Sequence, residues 1–132
     1  MRSFNVYERH DGKFKAVKNG WSWPAFLFGP IWALFVQLWL IGLLLLPVEV
    51  FLQILSAISD EILREEPGAY TERTTLVGQV IAILILSIHI SFGSFGNAWK
   101  RKKLESAAYK LNKTLDAKSK ENAITLSKDV IT

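Results

Sequence analysis

The sequence lacks cysteine altogether, and it lacks charge over two long stretches. The absence of cysteine excludes disulfide bonds and thiolate metal sites. Between residues 21 and 59 the only acid, lysine or arginine is Glu49, and residues 74–99 contain none. A soluble domain of 132 residues rarely contains such runs, because even a core helix usually keeps one solvent-exposed, polar face. The two runs therefore predict an integral membrane protein.

The chain also lacks a recognisable cleavable signal peptide and a catalytic motif. Its first 20 residues are too polar for a signal peptide and the following apolar run is too long, so we expect the apolar segments to remain as anchors. No histidine pair has metal-binding spacing, and there is no glycine-rich phosphate loop or serine-centred elbow. We expect no enzymatic activity, no cofactor and no metal.

The charges that the apolar runs lack are concentrated on either side of them. Residues 1–20 carry a net charge of +3, residues 60–73 a net charge of −3 and residues 100–132 a net charge of +5. Because basic flanks stay on the cytoplasmic side, this pattern predicts that both termini are cytoplasmic and the acidic loop is external. Two membrane crossings satisfy it. The predicted segments are a polar N-terminal segment (1–20), an interfacial element (21–30), a first span (31–59), an acidic external loop (60–74), a second span (75–99) and a basic tail (100–132).

The first apolar run is too long for one simple span, since about 20 residues cross a hydrocarbon core roughly 30 Å thick. It begins with the aromatic-proline block WSWPAFLFGP at residues 21–30, in which prolines interrupt a helix and tryptophans favour the headgroup level. We interpret this block as an interfacial or shallow re-entrant element. The predicted interfacial anchors are Trp21, Trp23, Trp32 and Trp99.

Polar residues form one narrow stripe along the predicted first span. Glu49, Gln53 and Ser56 fall on one helical face, and Gly42 lies on the same line. In an otherwise apolar helix such a stripe should face protein or water rather than lipid.

The second span has two small-residue faces on opposite sides. The first consists of Gly78, Ala82, His89, Gly93 and Gly96, and the second of Ser87, Ser91 and Ser94. Small residues let membrane helices approach closely, whereas bulky apolar residues suit lipid. We therefore expect two packing neighbours, the second of which is another polypeptide, with interfacial helices or chance as the alternative. The sector predicted to face lipid contains Ile81, Leu84, Ile85, Ile88, Phe92 and Phe95.

The terminal segments contain a predicted hairpin and a predicted helix. Alternating residues around a turn at 10–13 indicate a short β-hairpin over residues 3–18. After the basic run Lys100, Arg101, Lys102 and Lys103, apolar residues recur at helical spacing and predict an amphipathic helix to about residue 117. The four basic residues are predicted to contact lipid headgroups, and a nucleic-acid arm is the less favoured alternative because no nucleic-acid-binding motif accompanies them.

Only Glu49 and His89 can titrate within the apolar runs. Ionisable groups at depth are costly and usually functional, so a proton-handling or ion-binding pair is one interpretation, and structural pairing or interfacial placement is the other. At a rise of about 1.5 Å per residue, Glu49 is expected roughly 14 Å and His89 roughly 21 Å from the outer face, so that direct contact would need a tilt.

Two blocks of the sequence, KNGWSWPAFLFGPIWALF at 18–35 and FGNAWKRKKLESAAY at 95–109, carry a resemblance. With Asn5-Val6-Tyr7, they resemble the small bacterial inner-membrane proteins grouped as domain of unknown function family 2628. Trp21 stands where that pattern has phenylalanine, and Ala108-Tyr109 where it has a glycine-aromatic pair. The resemblance implies a bacterial membrane location and supplies no activity or catalytic residue.

Together these features predict an all-α membrane protein. Its fold would be a two-span helical hairpin with an N-terminal interfacial or re-entrant Trp-Pro element, a small polar N-terminal hairpin and a C-terminal amphipathic helix. The favoured function is a non-enzymatic accessory, scaffold or assembly subunit whose partners are the lipid bilayer and another membrane protein or a second copy, without nucleic acid. Two alternatives stay open: a small transporter or channel-forming oligomer, and a lipid-binding or membrane-shaping protein.

Overall fold

The computed structural model describes the backbone of residues 1–65 and 72–129, and the side chains of residues 1–61 and 76–129. It divides into two compact units. The first, which we call the terminal module, combines Met1–Ser22 with Ser94–Thr132, and the second, which we call the helical unit, is Trp23–Gly93. Of the predicted external loop 60–74, residues 66–71 lie outside the described residues, while the flanking residues belong to helices.

The terminal module contains a three-stranded antiparallel sheet. Its strands are β1 (Arg2–Arg9), β2 (Phe14–Lys18) and β3 (Tyr109–Ala117), in the spatial order β2-β1-β3. The β1–β2 hairpin confirms the prediction for residues 3–18. At its turn, Gly12 has a φ of 77°, a backbone conformation that side chains disfavour.

A β-bulge divides the pairing between β1 and β3. Val6 pairs with Lys113 and Tyr7 with Leu111, so Asn112 is the extra residue on β3. Because side chains alternate between the two faces of a sheet, one extra residue reverses the faces on either side of it. Leu115 therefore shares a face with Phe4, whereas Leu111 shares the opposite face with Tyr7.

Helix α4 (Lys120–Asp129) packs over one face of this sheet. The small hydrophobic core between them consists of Phe4, Val6, Ala117 and Ala123. Ser119 caps the helix, since its hydroxyl accepts a 3.1 Å hydrogen bond from the Asn122 amide.

The C-terminal part of the long helix α3 (Glu72–Ser106) also belongs to the terminal module. Asn97 Nδ2 donates to the Gly20 carbonyl at 3.0 Å, and Arg101 Nη1 donates to Asn19 Oδ1 at 3.1 Å. Tyr7 Oη donates to Glu105 Oε1 at 3.3 Å. These bonds join the two sequence blocks that carry the family resemblance.

The helical unit contains α1 (Trp23–Phe35), α2 (Trp39–Glu65) and the first part of α3. Helix α1 is broken at Gly29, whose φ of 47° and ψ of −129° lie outside the helical region. The chain leaves α1 through Gln37, which has a φ of 60°. The helical path is thus interrupted twice: at Gly29, next to the predicted boundary between the interfacial element 21–30 and the first span, and again at residues 36–38.

Two helices are long and apolar enough to cross a membrane, over Trp39–Glu61 and Leu76–Ser106. Only 11% and 17% of their most apolar windows are buried, whereas the core helix of a soluble protein would be mostly buried. Length, composition and exposure together indicate a membrane protein.

The prediction of an all-α fold is wrong for the chain's terminal segments. Residues 109–117 form strand β3 and not an amphipathic helix, because β1 offers a sheet edge that β3 completes. Helix α3 itself ends at Ser106, and Ala108 adopts the left-handed φ of 62° that turns the chain into β3.

Candidate functional site

Glu49 and His89 contact each other directly in the helical unit. His89 Nε2 lies 3.1 Å from Glu49 Oε1, and Glu49 is only 8% exposed. Glu49 lies 16 residues before the end of α2 at Glu65, and His89 lies 17 residues after the start of α3 at Glu72. The difference in depth expected from the sequence is therefore wrong, because both helices continue into the predicted loop.

The second ring nitrogen of His89 binds helix α1. His89 Nδ1 donates to the main-chain carbonyl of Phe26, and the two rings lie edge to face with centroids 6.3 Å apart. In an α-helix the Phe26 carbonyl would accept from the amide of residue 30, but that residue is Pro30, which has no N–H. The proline thus leaves a carbonyl for the imidazole to bind.

These contacts set the number of protons in the site. A carbonyl oxygen only accepts hydrogen bonds, so Nδ1 carries a proton. The contact between Nε2 and Glu49 Oε1 then requires one more proton between them, held either by the imidazole as a cation or by the carboxyl group as a neutral acid. In both forms the pair has no net charge, which suits its burial among apolar residues.

Gly29 of α1 lies directly against the Glu49–His89 pair. A Cβ atom at this position would lie 3.1 Å from His89 Cε1 and Nε2, and 3.5 Å from Glu49 Oε2. Its positive φ is a second reason for glycine. The Gly29-Pro30 pair therefore breaks α1, frees the Phe26 carbonyl and makes room for the Glu49–His89 pair.

The two oxygens of the Glu49 carboxyl group have different surroundings. Oε1 also accepts a 3.4 Å hydrogen bond from Gln53 Nε2, whereas Oε2 is buried and has no hydrogen-bond partner among the described residues. The predicted polar stripe is thus divided: Glu49 is buried, Gln53 is exposed and Ser56 is half-buried.

An apolar groove of about 410 Å³ lies beside the pair, between α1 and α3. One end of it reaches His89. Its other lining residues are Phe26, Leu27, Ala82, Ile85 and Leu86. Where side chains are described, no three histidine, aspartate or glutamate residues lie close enough to hold a metal ion.

A larger cavity, about 700 Å³, lies elsewhere, beside the bulge in the terminal module. Its charged side chains bind neighbouring groups of the protein. Glu8 accepts from Asn112 Nδ2 at 2.9 Å, Glu105 from Tyr7, and Arg9 pairs with Asp11. The Arg9 guanidinium holds the pKa of Asp11 well below its usual range.

The predicted packing faces of α3 have unequal surroundings. Gly93 and Gly96 are buried and His89 is half-buried, but Ala82 is exposed and the space around Gly78 is open. The serine face is exposed throughout its length: Ser87 and Ser91 donate to their own helix, to the carbonyls of residues 83 and 87, and Ser94 is exposed.

Ile81 and Phe92 are buried, so the prediction that they face lipid is wrong. These two residues lie next to the glycine-histidine face on the helix, so the buried surface of α3 extends beyond the small residues. Leu84 and Phe95 of the same sector are exposed, as predicted.

The residues predicted to lie at the membrane surface, the tryptophan anchors and the basic run, also differ in their exposure. Among the tryptophans, Trp23 is exposed and Trp21 and Trp99 are half-buried, but Trp32 is only 6% exposed and belongs to the interior rather than to a lipid-facing surface. In the basic run, Lys102 is exposed, while Lys100, Arg101 and Lys103 are half-buried and Arg101 binds Asn19.

Sequence reasoning did not identify Gly29, Pro30 or the Phe26 carbonyl as parts of the site. A signal for them exists: a proline in a helix leaves the carbonyl four residues before it without its usual donor. His89, in the other apolar run, supplies the missing donor.

The chain was compared with known protein families, curated proteins and solved structures. The family model of a protein of unknown function (DUF2628) matches residues 3–105, which confirms the resemblance seen in the sequence. Neither the curated proteins nor the solved structures gave a match.

Proposed function

Since the chain belongs to the DUF2628 family of proteins of unknown function, we propose a function from its fold. We infer a non-enzymatic accessory or assembly subunit of a larger complex in the bacterial inner membrane, with both termini in the cytoplasm. The observation that carries this proposal is the single sheet built from both ends of the chain.

The shared sheet supports an even number of membrane crossings. β1 pairs with β2 on one side and with β3 on the other. Strands that lie on opposite sides of a bilayer cannot pair, which supports one side of the membrane for residues 2–18 and 109–117. The net positive charge of both terminal segments favours the cytoplasmic side.

The contacts of the Glu49–His89 pair support a structural rather than a catalytic role. Both ring nitrogens of His89 bind other groups of the protein, and the pair is held between three helices. A catalytic acid or base needs a free position that a substrate can reach. Within the described residues these contacts join α1 to α2 and α3 instead.

The serine face of α3 supports a partner helix. Its hydroxyls at residues 87 and 91 bond to the helix's own carbonyls, which leaves a narrow surface of small side chains. Surfaces of this kind allow close approach of a second helix in a membrane. That helix would come from another membrane protein or from a second copy of this chain.

The decisive experiment is purification from its native membrane in mild detergent, followed by mass measurement of everything that co-purifies. A stoichiometric foreign membrane protein is the expected result. The double variant Ser87→Leu with Ser91→Leu should lose it. Ser59→Leu is the matched control, because its hydroxyl also bonds to its own helix, at the Leu55 carbonyl, but on α2. A lone monomer that is unchanged by either substitution would contradict the proposal.

The orientation is tested separately by cysteine labelling, for which the cysteine-free chain is a clean background. Lys13→Cys and Lys110→Cys replace exposed residues of the terminal module, and Gly68→Cys falls in the predicted external loop. An impermeant maleimide should label position 68 in intact spheroplasts and positions 13 and 110 only after lysis. Opposite labelling of positions 13 and 110 would exclude the two-crossing topology.

A second candidate is a small transporter or channel-forming oligomer. Glu49 Oε2, which has no hydrogen-bond partner among the described residues, and the exposed Gln53 favour it, since they could continue a polar path within an oligomer. Conductance of the purified protein in planar bilayers, reduced in Glu49→Gln, would support this candidate over the accessory role.

A third candidate is lipid binding, which the apolar groove beside His89 and the exposed Trp23 favour. A lone monomer that carries bound lipid in native mass measurements would support it. Ala82→Leu, which narrows the groove, should then reduce the bound lipid.

A further inference from the structure

The Glu49–His89 pair is electrostatically isolated within the helical unit. Helix α1 carries no titratable side chain, and residues 74–99 of α3 contain His89 alone. On α2 the nearest other acid or base in sequence is Asp60, three helical turns beyond Glu49. The groups that face the pair from the three helices are therefore the Phe26 carbonyl, the Gln53 amide and apolar side chains.

We propose that the pair is a one-proton binding site whose proton holds the broken helix α1 against α2 and α3, and whose deprotonation releases α1. This inference does not depend on the accessory role proposed above.

The proton count gives the reason. With the shared proton present, the imidazole ring satisfies both acceptors: Nδ1–H donates to the Phe26 carbonyl, and the second proton lies between Nε2 and Glu49 Oε1. Without it, the neutral ring has one N–H and faces two acceptors. If that proton stays on Nδ1, the Nε2 lone pair faces a carboxylate oxygen at 3.1 Å. If it moves to Nε2, the Phe26 carbonyl loses its donor.

Neither deprotonated arrangement is compensated by other groups. Gln53 donates to Oε1 at 3.4 Å, and Oε2 has no donor among the described residues. A buried carboxylate with so few donors is unfavourable, as is a carbonyl left without a partner. The first arrangement weakens the contact between α2 and α3. The second is favoured, because a hydrogen bond to a carboxylate is stronger than one to a carbonyl, and it gives up the contact between α1 and α3. Since the closed state binds one proton more than the open state, closure is favoured at low pH and is lost as the pH rises.

The test measures both the protonation of His89 and the mobility of α1. Because the chain has two histidines, His10→Gln leaves His89 as the only imidazole, and ¹⁵N spectra of the labelled ring in lipid bilayers then show its protonation directly. A spin label at Phe28→Cys, on an exposed position of α1, reports the mobility of that helix. The matched control is a label at Leu43→Cys, an exposed position of α2.

In the parent protein, the ratio of mobile to immobile label at position 28 should rise about tenfold per pH unit through the range in which the ring loses its shared proton, as linkage to a single proton requires. The label at position 43 should not respond. His89→Phe should make position 28 mobile at every pH.

Glu49→Gln separates this proposal from a purely structural contact. The glutamine amide can donate to Nε2 while Nδ1–H still donates to Phe26, so both contacts form without a shared proton. Position 28 should stay immobile and its pH response should disappear. The proposal is overturned if Glu49→Gln keeps the parent's pH response. It is equally overturned if α1 stays immobile in the parent after the ring has lost the proton, or if the ring keeps the proton up to about pH 10, beyond the ordinary range of histidine.

Discussion

The two units of this protein expose opposite kinds of surface. The helical unit displays its large apolar side chains, with Phe35 83% and Leu40 80% exposed, and buries Glu49, the one acid of the two apolar runs. The terminal module buries its few large apolar residues, such as Phe4 and Val6, and displays lysines and acids. One unit is therefore built for lipid as a solvent and the other for water.

The same difference governs where polar groups pair. In the terminal module many polar side chains form a network on the sheet: Asn19 donates to Asn5 at 2.7 Å, and Thr114 donates to the same Asn5 oxygen at 3.1 Å. In the helical unit the buried Glu49–His89 pair joins α2 to α3 among apolar side chains. A network can lose a member and rearrange with water, whereas an isolated pair in an apolar environment cannot. Substitutions should therefore act in different ways in the two units.

The largest expected effect is on the terminal module. Phe4 is 4% exposed in a core of four buried residues, so Phe4→Ala should lower the module's free energy of unfolding by about 3–5 kcal/mol. Protease sensitivity of the terminal segments in proteoliposomes measures this loss. The helical signal of the spans should remain.

Leu111→Ala is the control on the same sheet, because Leu111 is about half exposed and should change the stability by less than about 0.5 kcal/mol. If Phe4→Ala also prevented membrane insertion of the spans, the separation of the two units would be wrong.

The helical unit should respond most strongly at Gly29. Gly29→Ala forces a side chain into a positive φ and places Cβ 3.1 Å from His89, so the helical unit should lose about 1–3 kcal/mol. Unfolding in mixed micelles measures the change.

Gly78→Ala is the matched control, since nothing lies within 4 Å of its added Cβ and alanine favours a helix. Equal losses in the two variants would show that α1 does not depend on the close approach at Gly29.

Much of this architecture could be predicted because single-residue patterns decide it. The absence of charge located the two long helices, and alternation around Gly12 located the hairpin. Strand β3 was missed because the bulge at Asn112 hides its alternation: Leu111 and Leu115 lie on opposite faces of the sheet, yet are spaced four residues apart as on a helix.

The candidate site could be predicted only in part. Glu49 and His89 were identified as the titratable residues of the apolar runs, but their contact depends on how far α2 and α3 extend beyond the membrane, which residues 60–74 do not reveal by pattern. The third partner is a main-chain carbonyl. Main-chain partners have no residue type to recognise, and Pro30 is the single sequence signal for this one.

A smaller effect is expected at the start of α4. Ser119→Ala removes the acceptor of the Asn122 amide, and loss of such a cap costs about 1 kcal/mol. The pKa of Glu121, in the first turn, is held below its usual range by hydrogen bonds to a backbone amide and to Ser119. Ser119→Ala should therefore move that pKa back up, which carboxyl NMR detects. Ser106→Ala is the control, because its hydroxyl only bonds to the Lys102 carbonyl on an exposed helix end.

The smallest expected effect has the opposite sign and tests the turn at Ala108, which stands where the family pattern has a glycine. Ala108 has a φ of 62°, the conformation that glycine adopts most readily. It follows the end of α3, and its N–H donates a hydrogen bond to the Glu105 carbonyl. Relieving this strain gains roughly 1 kcal/mol or more, and the greater freedom of glycine in the unfolded chain removes part of the gain. Ala108→Gly should therefore stabilise the terminal module by up to about 1 kcal/mol. Ala107→Gly, one residue earlier, should destabilise the module by a similar amount. The Ala107 N–H still donates the helical hydrogen bond to the Lys103 carbonyl, and glycine is unfavourable in a helix. Thermal unfolding of the two variants measures the contrast, and a loss of stability in both would mean that the left-handed turn at Ala108 does not form.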